Sequence, residues 1–210
     1  SSKMNSAMSN NLKMKFILAS KSPRRREILS ELGLKFEIIT AETDESCDLT
    51  DPRAYVEELA LRKGQAVAEL CGDNDVLIIA SDTVVSCGGE ILGKPRDHAD
   101  AKRMLDMLSD SRHSVISGIA LITKDKAVAA SEVTEVIFDK MTESDKEIYV
   151  SSDEPYDKAG AYAIQGLASM WIKGIEGDYF NVVGLPVKLL HDMLKKEFGI
   201  DLAKLVQEEK

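Results

Sequence analysis

The segment at residues 16–29 constrains the fold more than any other, because an apolar run is followed at once by two serines, a proline and three arginines. The run is typical of a buried strand, and the apolar spacing after it predicts a helix. Ser22 is suited to cap that helix, and Pro23 to occupy its first position. Free N–H groups and the helix dipole would then meet guanidinium groups, which favours a bound phosphate or carboxylate. A solvated run of arginines explains these residues alone equally well.

The composition predicts one globular domain. The chain has 210 residues, of which 44% are hydrophobic, so it can bury one sizeable core. Residues 1–13 are rich in Ser, Asn, Met and Lys and lack the apolar stretch of a secretory signal. We therefore expect a disordered tail at 1–13 and a single domain over 14–210. No apolar run approaches the roughly 20 residues that cross a bilayer, so a membrane is not expected as a partner.

Net charge and cysteine content exclude further classes of partner. The net charge of -9 makes nucleic acid a poor partner, although a small polyanion could bind where basic groups cluster or a divalent cation bridges. Cys47, Cys71 and Cys87 are odd in number and show no C-x-x-C spacing. This argues against a disulfide framework or a structural zinc site and predicts a cytoplasmic protein.

Two polar features interrupt apolar patterns. A long helix is predicted to begin near Pro52, and Lys63 falls on its apolar stripe. Such a lysine usually extends its charge to the edge of the core, and the alternative is an ammonium that points into a cleft. The apolar residues 76–80 are typical of a strand covered on both faces, and we expect it to end in Ser81-Asp82-Thr83. Open α/β sheets place their chemistry at such strand ends, whereas capping of the next turn is the simpler role for Asp82.

The remaining patterns alternate strands and helices, which predicts an α/β fold. Period-two alternation marks the strands, and apolar spacing with capping residues marks the helices. The expected elements, in chain order, are a strand at 35–39, a helix at 101–108, paired strands at 115–122 and 133–138, a short helix capped by Thr142, and a last main helix from Pro186 to Gly199.

Several charged side chains could serve phosphate chemistry. The cations match a polyphosphate, and the carboxylates match Mg²⁺, which binds through one or two carboxylates plus substrate phosphate oxygens. An aspartate beside such an ion could deprotonate an attacking water. The residues indicate a hydrolase or transferase of a phosphorylated small molecule without identifying the bond that breaks. The candidates are Arg24, Arg25, Lys63, Lys94 and Lys158, the carboxylates Glu45, Asp82 and Asp157, and Gln165, whose amide could contact a base edge.

Six motifs occur in order: A-S-K-S-P-R-R-R-E-I-L, S-D-T-V-V, G-K-P, E-V-T-E-V-I-F, D-E-P-Y-D-K-A-G-A-Y-A-I-Q-G and N-V-V-G-L-P-V. In this combination the chain, from Lys15 to about Leu194, resembles the Maf family of nucleoside triphosphate pyrophosphatases. The resemblance implies an elongated mixed β-sheet with flanking helices and two lobes around a central cleft, of the Maf/ITPase-like type. It also implies hydrolysis of a nucleoside triphosphate to the monophosphate and pyrophosphate with Mg²⁺, Mn²⁺ or Co²⁺, and a homodimer. Such enzymes clean the nucleotide pool, and the family is linked to arrest of cell division.

The resemblance implies roles for nine residues. Asp82 matches the proposed proton acceptor, and Glu45 with Asp82 would hold the metal. Lys63 and Lys94 would act beside Asp82 in catalysis. The implied substrate-binding residues are Ser20, Arg24 and Arg25 in the phosphate-binding loop, together with Thr83 and Gln165. Of these, Arg24, Thr83 and Gln165 match positions associated with substrate choice.

The substrate branch is indicated by D-K-A-G-A-Y-x-I-Q-G, which resembles the form that acts on dTTP and UTP. The amide of Gln165 could meet the carbonyls and N3–H of uracil or thymine. Two alternatives stay open: a 7-methyl-GTP-type pyrophosphatase, and a non-enzymatic nucleotide-binding regulator of cell division. The chain departs from the family where S-G-x-x-H-x-V-x-T-G is common, since it has Asp110 and Ser117, and where Ala163 replaces a frequent glycine.

Overall fold

The computed structural model describes residues 14–208, which form a mixed α/β fold. A seven-stranded sheet with flanking helices confirms the predicted fold class. The tail predicted for residues 1–13 lies outside the described residues, and the single domain over 14–210 stays a prediction. Within the described part of the chain, no helix has the length and apolar character needed to cross a membrane.

The sheet combines parallel and antiparallel strands. Its strands are β1 (Lys15–Leu18), β2 (Glu37–Ile38), β3 (Val76–Cys87), β4 (Glu90–Leu92), β5 (Arg112–Ile122), β6 (Ala127–Phe138) and β7 (Ile172–Glu176). The order is β2-β1-β3-β5-β6-β7, and β4 pairs with β3. The strand β1 is parallel to β2 and β3, and the other pairs are antiparallel. The helices are α1 (Pro23–Leu32), α2 (Pro52–Cys71), α3 (His98–Leu108), α4 (Glu143–Val150), α5 (Tyr179–Val183), α6 (Val187–Phe198) and α7 (Leu202–Glu208).

Helix ends follow the local sequence. The Ser22 hydroxyl caps α1, and Thr142 begins α4 with a capping box. Gly199 adopts φ 65° and ends α6, as predicted. The strand predicted at 35–39 is reduced to the two residues of β2, and the sequence patterns do not predict β4, β7, α5 or α7.

The strand β3 is longer than the sequence predicts. The polar triplet Ser81-Asp82-Thr83 lies in the middle of β3 and does not end it, because β5 pairs with β3 from Ile78 to Ser86. On the other edge of β3, β1 pairs only as far as Ile79, and β4 pairs from Val85 onward. The triplet therefore lies just beyond the carboxyl end of β1, at a gap between two neighbouring strands.

Alternation along β3 explains how helices cover both faces and where the cleft forms. Leu77 and Ile79 pack in a cluster with residues of α1, α6 and α7, whereas Ile78 packs with residues of α2 on the opposite face. Val85 lies further along the first face, in a second cluster with α3 and α4. The two clusters on that face are separated by the polar triplet, which places an open region between two apolar lobes.

Close packing brings α2 against the centre of the sheet. A Cβ atom at Gly118 of β5 would lie 2.6 Å from the backbone carbonyl of Val56, so only glycine fits there. A Cβ atom at Gly64 would lie 2.5 Å from the Ile122 side chain. These two glycines bring α2 close enough to the sheet for the half-buried side chain of Lys63 to reach β3.

His113 is a structural residue of the second lobe. Its Nε2 lies 2.6 Å from the hydroxyl of Tyr162, and its ring contacts Phe138 and Tyr162. Only 1% of its surface is exposed, and its Nδ1 has no hydrogen-bond partner within residues 14–208. Burial therefore lowers the pKa of His113 from its ordinary value of 6.5 to about 4.

We expect His113 to make the protein less stable as the pH falls from 6.5 towards 4. In that range the unfolded chain binds a proton that the folded chain does not, so protonation favours unfolding by roughly 2–3 kcal/mol at pH 4.5. Urea denaturation at pH 7.5 and 4.5 should show a smaller loss in His113→Gln than in the wild type. The matched control is His98→Gln, which changes an exposed ring. An equal loss of stability between pH 7.5 and 4.5 in the wild type and in His113→Gln would contradict the prediction.

Candidate active site

One cavity of about 940 Å³ opens beside the polar triplet of β3. It is bounded by the N-terminus of α1, the loop before α2, one face of α2, and the segment from 157 to 165. All nine residues assigned roles by resemblance line it, namely Ser20, Arg24, Arg25, Glu45, Lys63, Asp82, Thr83, Lys94 and Gln165. The structure therefore brings together groups that are up to 145 residues apart in the chain, from Ser20 to Gln165.

The turn between β1 and α1 presents hydroxyl and N–H groups to the cavity. Ser22 accepts a hydrogen bond from the backbone N–H of Arg25 (3.4 Å), and Ser20 accepts one from the N–H of Ser22 (3.2 Å). Pro23 occupies the first turn, where a missing N–H costs nothing. The positive end of the α1 dipole thus faces the cavity beside two arginines, which is an arrangement suited to phosphate.

The two arginines differ in their surroundings. Arg25 donates from Nε to the carbonyl of Gly184 (2.8 Å), from Nη2 to Thr83 (2.9 Å) and from Nη1 to Ser20 (3.3 Å). Burial lowers the pKa of Arg25 to about 10, although Asp82 acts in the opposite direction, so the group keeps its charge at pH 7. Its remaining N–H groups can reach an anion, but its position is fixed.

Arg24 is held more loosely. Its Nη1 lies 3.9 Å from Oδ2 of Asp157, which belongs to the segment on the opposite side of the cavity. Asp157 also accepts a hydrogen bond from Lys158 (2.7 Å), and the nearby Lys158 and Arg24 outweigh burial and lower the pKa of Asp157. A triphosphate could replace the carboxylate as the partner of Arg24.

Thr83 connects Arg25 to a chain of buried polar groups. Its hydroxyl accepts the bond from Arg25 and lies 2.7 Å from the hydroxyl of Ser117. Ser117 in turn donates to the carbonyl of Asn181 (3.2 Å). Each hydroxyl in this series can accept one hydrogen bond and donate another, so both hydroxyl protons have acceptors. The structure therefore shows that Thr83 supports an arginine, which its position in the sequence does not reveal.

A lysine and two carboxylates form the charged centre of the cavity. The Nζ atom of Lys63 donates to Oδ1 of Asp82 (2.7 Å) and lies 3.9 Å from Oε1 of Glu45. The ammonium of Lys63 therefore points into the cleft and not into solvent at the edge of the core. Of the two interpretations that the sequence allows, the structure favours the cleft. The ammonium ion lies near both carboxylates, so this position accommodates positive charge.

Lys94 and Gln165 lie at the rim with exposed side chains. Lys94 follows β4, and the carbonyl of the preceding Gly93 accepts a hydrogen bond from the N–H of Gly160 (3.1 Å). Gly160 has φ 71° and its Cα is so close to Val85 that a Cβ atom would lie 2.5 Å from that side chain. A glycine is thus needed where the rim segment crosses β3.

Sequence patterns missed Tyr55, which also lines the cavity. It lies on α2, and Tyr55, Leu59, Lys63 and Val67 all line the cavity at intervals of four residues. This is the spacing of one helix face. The apolar stripe that contains Lys63 also contains Tyr55, two turns earlier, so the same spacing places both residues on one face of α2.

The departures from the family motifs have local explanations. Asp110 adopts φ 55°, a conformation that favours glycine but that aspartate tolerates better than most residues. Ser117 retains the hydroxyl that pairs with Thr83. Ala163 lines the cavity and donates its N–H to the Tyr149 hydroxyl (3.3 Å), a bond that does not depend on the side chain.

The chain is similar to several known proteins. The family model described as Maf-like protein matches residues 15–197. A protein of Bacillus thuringiensis subsp. konkukian and one of Bacillus anthracis, both named dTTP/UTP pyrophosphatase, are 47% identical over 189 residues, which cover 90% of this chain and 97% of theirs. A solved Ham1 protein of Staphylococcus aureus is 15% identical, with a TM-score of 0.44 over 59% of this chain and 71% of that one.

We expect Thr83→Val to destabilise the protein by about 1–3 kcal/mol, because Arg25 loses an acceptor and Ser117 a partner in a buried region. The matched control is Thr83→Ser, which keeps the hydroxyl and should lose clearly less. Urea denaturation at pH 7.5 gives both free energies of unfolding. Equal stabilities for the valine and serine variants would show that the hydroxyl chain contributes nothing.

Proposed function

The chain belongs to the Maf family, and from that membership we propose that it hydrolyses dTTP and UTP to the monophosphate and pyrophosphate. The name shared by its 47% identical relatives supports this choice of substrate. The observation that carries the proposal is the charged centre of the cavity, where Asp82 and Lys63 lie beside two arginines and a helix N-terminus. Hydrolysis of this kind removes a nucleotide from the pool.

The cations would bind and neutralise the triphosphate. Arg25 and Ser20 are fixed near the N-terminus of α1, and the exposed Lys94 lines the same cavity, so all three could contact a chain of phosphates bound there. Charge spreads over the phosphoryl oxygens as the bond breaks, and preorganised cations stabilise that charge without further rearrangement.

Asp82 would act as the general base. Its Oδ1 accepts the hydrogen bond from Lys63, which orients the carboxylate and leaves Oδ2 to take a proton from water. That water attacks the α-phosphorus, the new P–O bond forms, and the bond from the α-phosphorus to the bridging oxygen breaks. Pyrophosphate leaves with the bond electrons. Lys63 and Arg25 would stabilise the charge on the oxygens during this step.

Glu45 and Asp82 fit a divalent cation such as Mg²⁺. Both carboxylates already lie within 4 Å of one positive group, the Lys63 ammonium. The described residues contain no group of three or more His, Cys, Asp or Glu side chains that could hold an ion, so substrate oxygens would complete the coordination, as is common for Mg²⁺. When bound, the ion would neutralise phosphate charge and favour loss of a proton from water.

Gln165 would contact the base. Its exposed amide at the rim carries both donors and an acceptor, which suit the N3–H and carbonyls of uracil or thymine. The relatives' name supports this pyrimidine branch over the 7-methyl-GTP branch. The homodimer, the cytoplasmic location and a link to cell division stay predictions.

We expect Asp82→Asn to lower pyrophosphate release from dTTP and UTP by at least about 100-fold, because the amide cannot accept the proton. Release should be measured with Mg²⁺ for dTTP, UTP, CTP and 7-methyl-GTP, and the wild type should prefer the first two. The matched control is Asp73→Asn, at an exposed position outside the cavity. Thermal melting verifies the fold of each variant. Undiminished turnover in Asp82→Asn would falsify the role of Asp82, and binding without pyrophosphate release in the wild type would favour a regulator.

Chelation of divalent ions should abolish the activity, and added Mg²⁺ should restore it. We expect Glu45→Gln to need about tenfold more Mg²⁺ for half-maximal rate, because one charged ligand is lost. Glu42→Gln is the matched control, since Glu42 lines the same cavity but is 97% exposed and pairs with Lys21. A Mg²⁺ requirement that is equal in both variants would place the ion elsewhere.

A further inference from the structure

The direction of Gln165 depends on its backbone. Its side chain makes no hydrogen bond with any other residue that the structure describes, and it is exposed at the rim of the cavity. The surrounding chain forms a tight turn, in which the carbonyl of Ala163 accepts a hydrogen bond from the N–H of Gly166 (3.2 Å). Whatever holds this turn in place therefore decides where the Gln165 amide lies.

Glu154 holds the turn from the side away from the cavity. Its two carboxylate oxygens accept the N–H of Leu167 at 3.0 and 3.2 Å. Glu154 does not line the cavity, and it is half-buried. A hydrogen bond to a charged acceptor is among the stronger ones in a protein. The carboxylate thus fixes the residue two positions after Gln165.

Position 166 requires glycine because of a contact with Glu154 and not because of its backbone conformation. Its φ of −100° lies outside the left-handed region that favours glycine. A Cβ atom at Gly166, however, would lie 1.1 Å from Oε1 of Glu154. The carboxylate therefore occupies the space where a side chain would be, and any larger residue would displace it.

The opposite end of the turn is held by Tyr149. Its hydroxyl accepts the N–H of Ala163 (3.3 Å), and burial together with the nearby Glu154 carboxylate raises the pKa of Tyr149. Glu154 is itself anchored, because its carbonyl accepts a hydrogen bond from Lys158 (2.7 Å). The turn is thus supported at Ala163 and at Leu167, on both sides of Gln165.

We propose that Glu154 is a positioning residue that sets the Gln165 amide for recognition of the pyrimidine base, with Gly166 providing the space for its carboxylate. This inference rests on the proposed function. It predicts that loss of the carboxylate weakens binding of the nucleotide base but leaves the phosphate-binding part of the cavity intact. Asp82 and Lys63 lie on other elements, so the chemical step should change little.

The test compares Glu154→Ala and Gly166→Ala with the wild type. Both variants should raise the KM for dTTP about tenfold with less than about a threefold change in kcat, because one charge-assisted hydrogen bond is lost. Inorganic tripolyphosphate, which has no base, should inhibit all three proteins equally. Since both substitutions remove the same contact, the double variant should be no worse than either single one.

Controls separate this inference from the proposed function. Asp153→Ala changes an exposed neighbour of Glu154 whose side chain has no hydrogen bond or ion pair within residues 14–208, and it should keep the wild-type KM. Glu154→Gln keeps one acceptor and should lie between the alanine variant and the wild type. Two results would overturn the positioning role alone. In the first, the wild type is active and the variants keep its KM. In the second, inhibition by tripolyphosphate weakens in the variants as much as the binding of dTTP does. A wild type that hydrolyses neither dTTP nor UTP overturns the proposed function and this inference with it.

Discussion

The hydrogen bonds of one guanidinium group hold the cavity together. Arg25 on α1 reaches the carbonyl of Gly184, between α5 and α6, and the hydroxyl of Thr83 in β3. These contacts join segments 159 and 58 residues apart, so they connect the start of α1 to the centre of the sheet and to the C-terminal helices. Because the group keeps its charge at pH 7, the same arginine that fixes the walls also contributes positive potential to the space between them. In the proposed function, the structure of the cavity and its binding of an anion would depend on one side chain.

Local sequence determined the helix boundaries but not the length of β3. Capping by Ser22 and Thr142 depends on residues three apart, and such patterns can be recognised in a sequence. The polar triplet looks like a strand end because it interrupts an apolar run. The triplet is nevertheless part of β3, because residues of β5 that are more than 30 positions later in the chain pair with all three of its residues. Non-local pairing of this kind leaves no trace in the residues of β3 themselves.

Motifs predicted a set of residues that line one cavity, but they did not predict how the contacts of these residues differ. Arg24 and Arg25 are adjacent and chemically identical, yet three hydrogen bonds fix Arg25, whereas Arg24 makes an ion pair at the longer distance of 3.9 Å. The difference arises because successive positions on a helix point about 100° apart. The motifs do not identify Glu154 as a site residue for a different reason. Its proposed role depends on contacts with Gly166 and Leu167, which only the folded turn creates.

The balance of charge in the cavity explains why cations alone are a poor means of holding a triphosphate here. Asp157 faces Arg24, and Asp82 accepts the closest contact of Lys63, so two of the cations already have carboxylate partners. A phosphate that approaches Lys63 is also repelled by Asp82 and Glu45, since like charges at such distances in a partly enclosed cavity interact by several kcal/mol. A divalent cation beside Glu45 and Asp82 would reverse the sign of that interaction and leave the ammonium free for the substrate. If Asp82 and Glu45 serve as proposed, the carboxylates that would deprotonate water would thus also make the cavity dependent on an added positive charge.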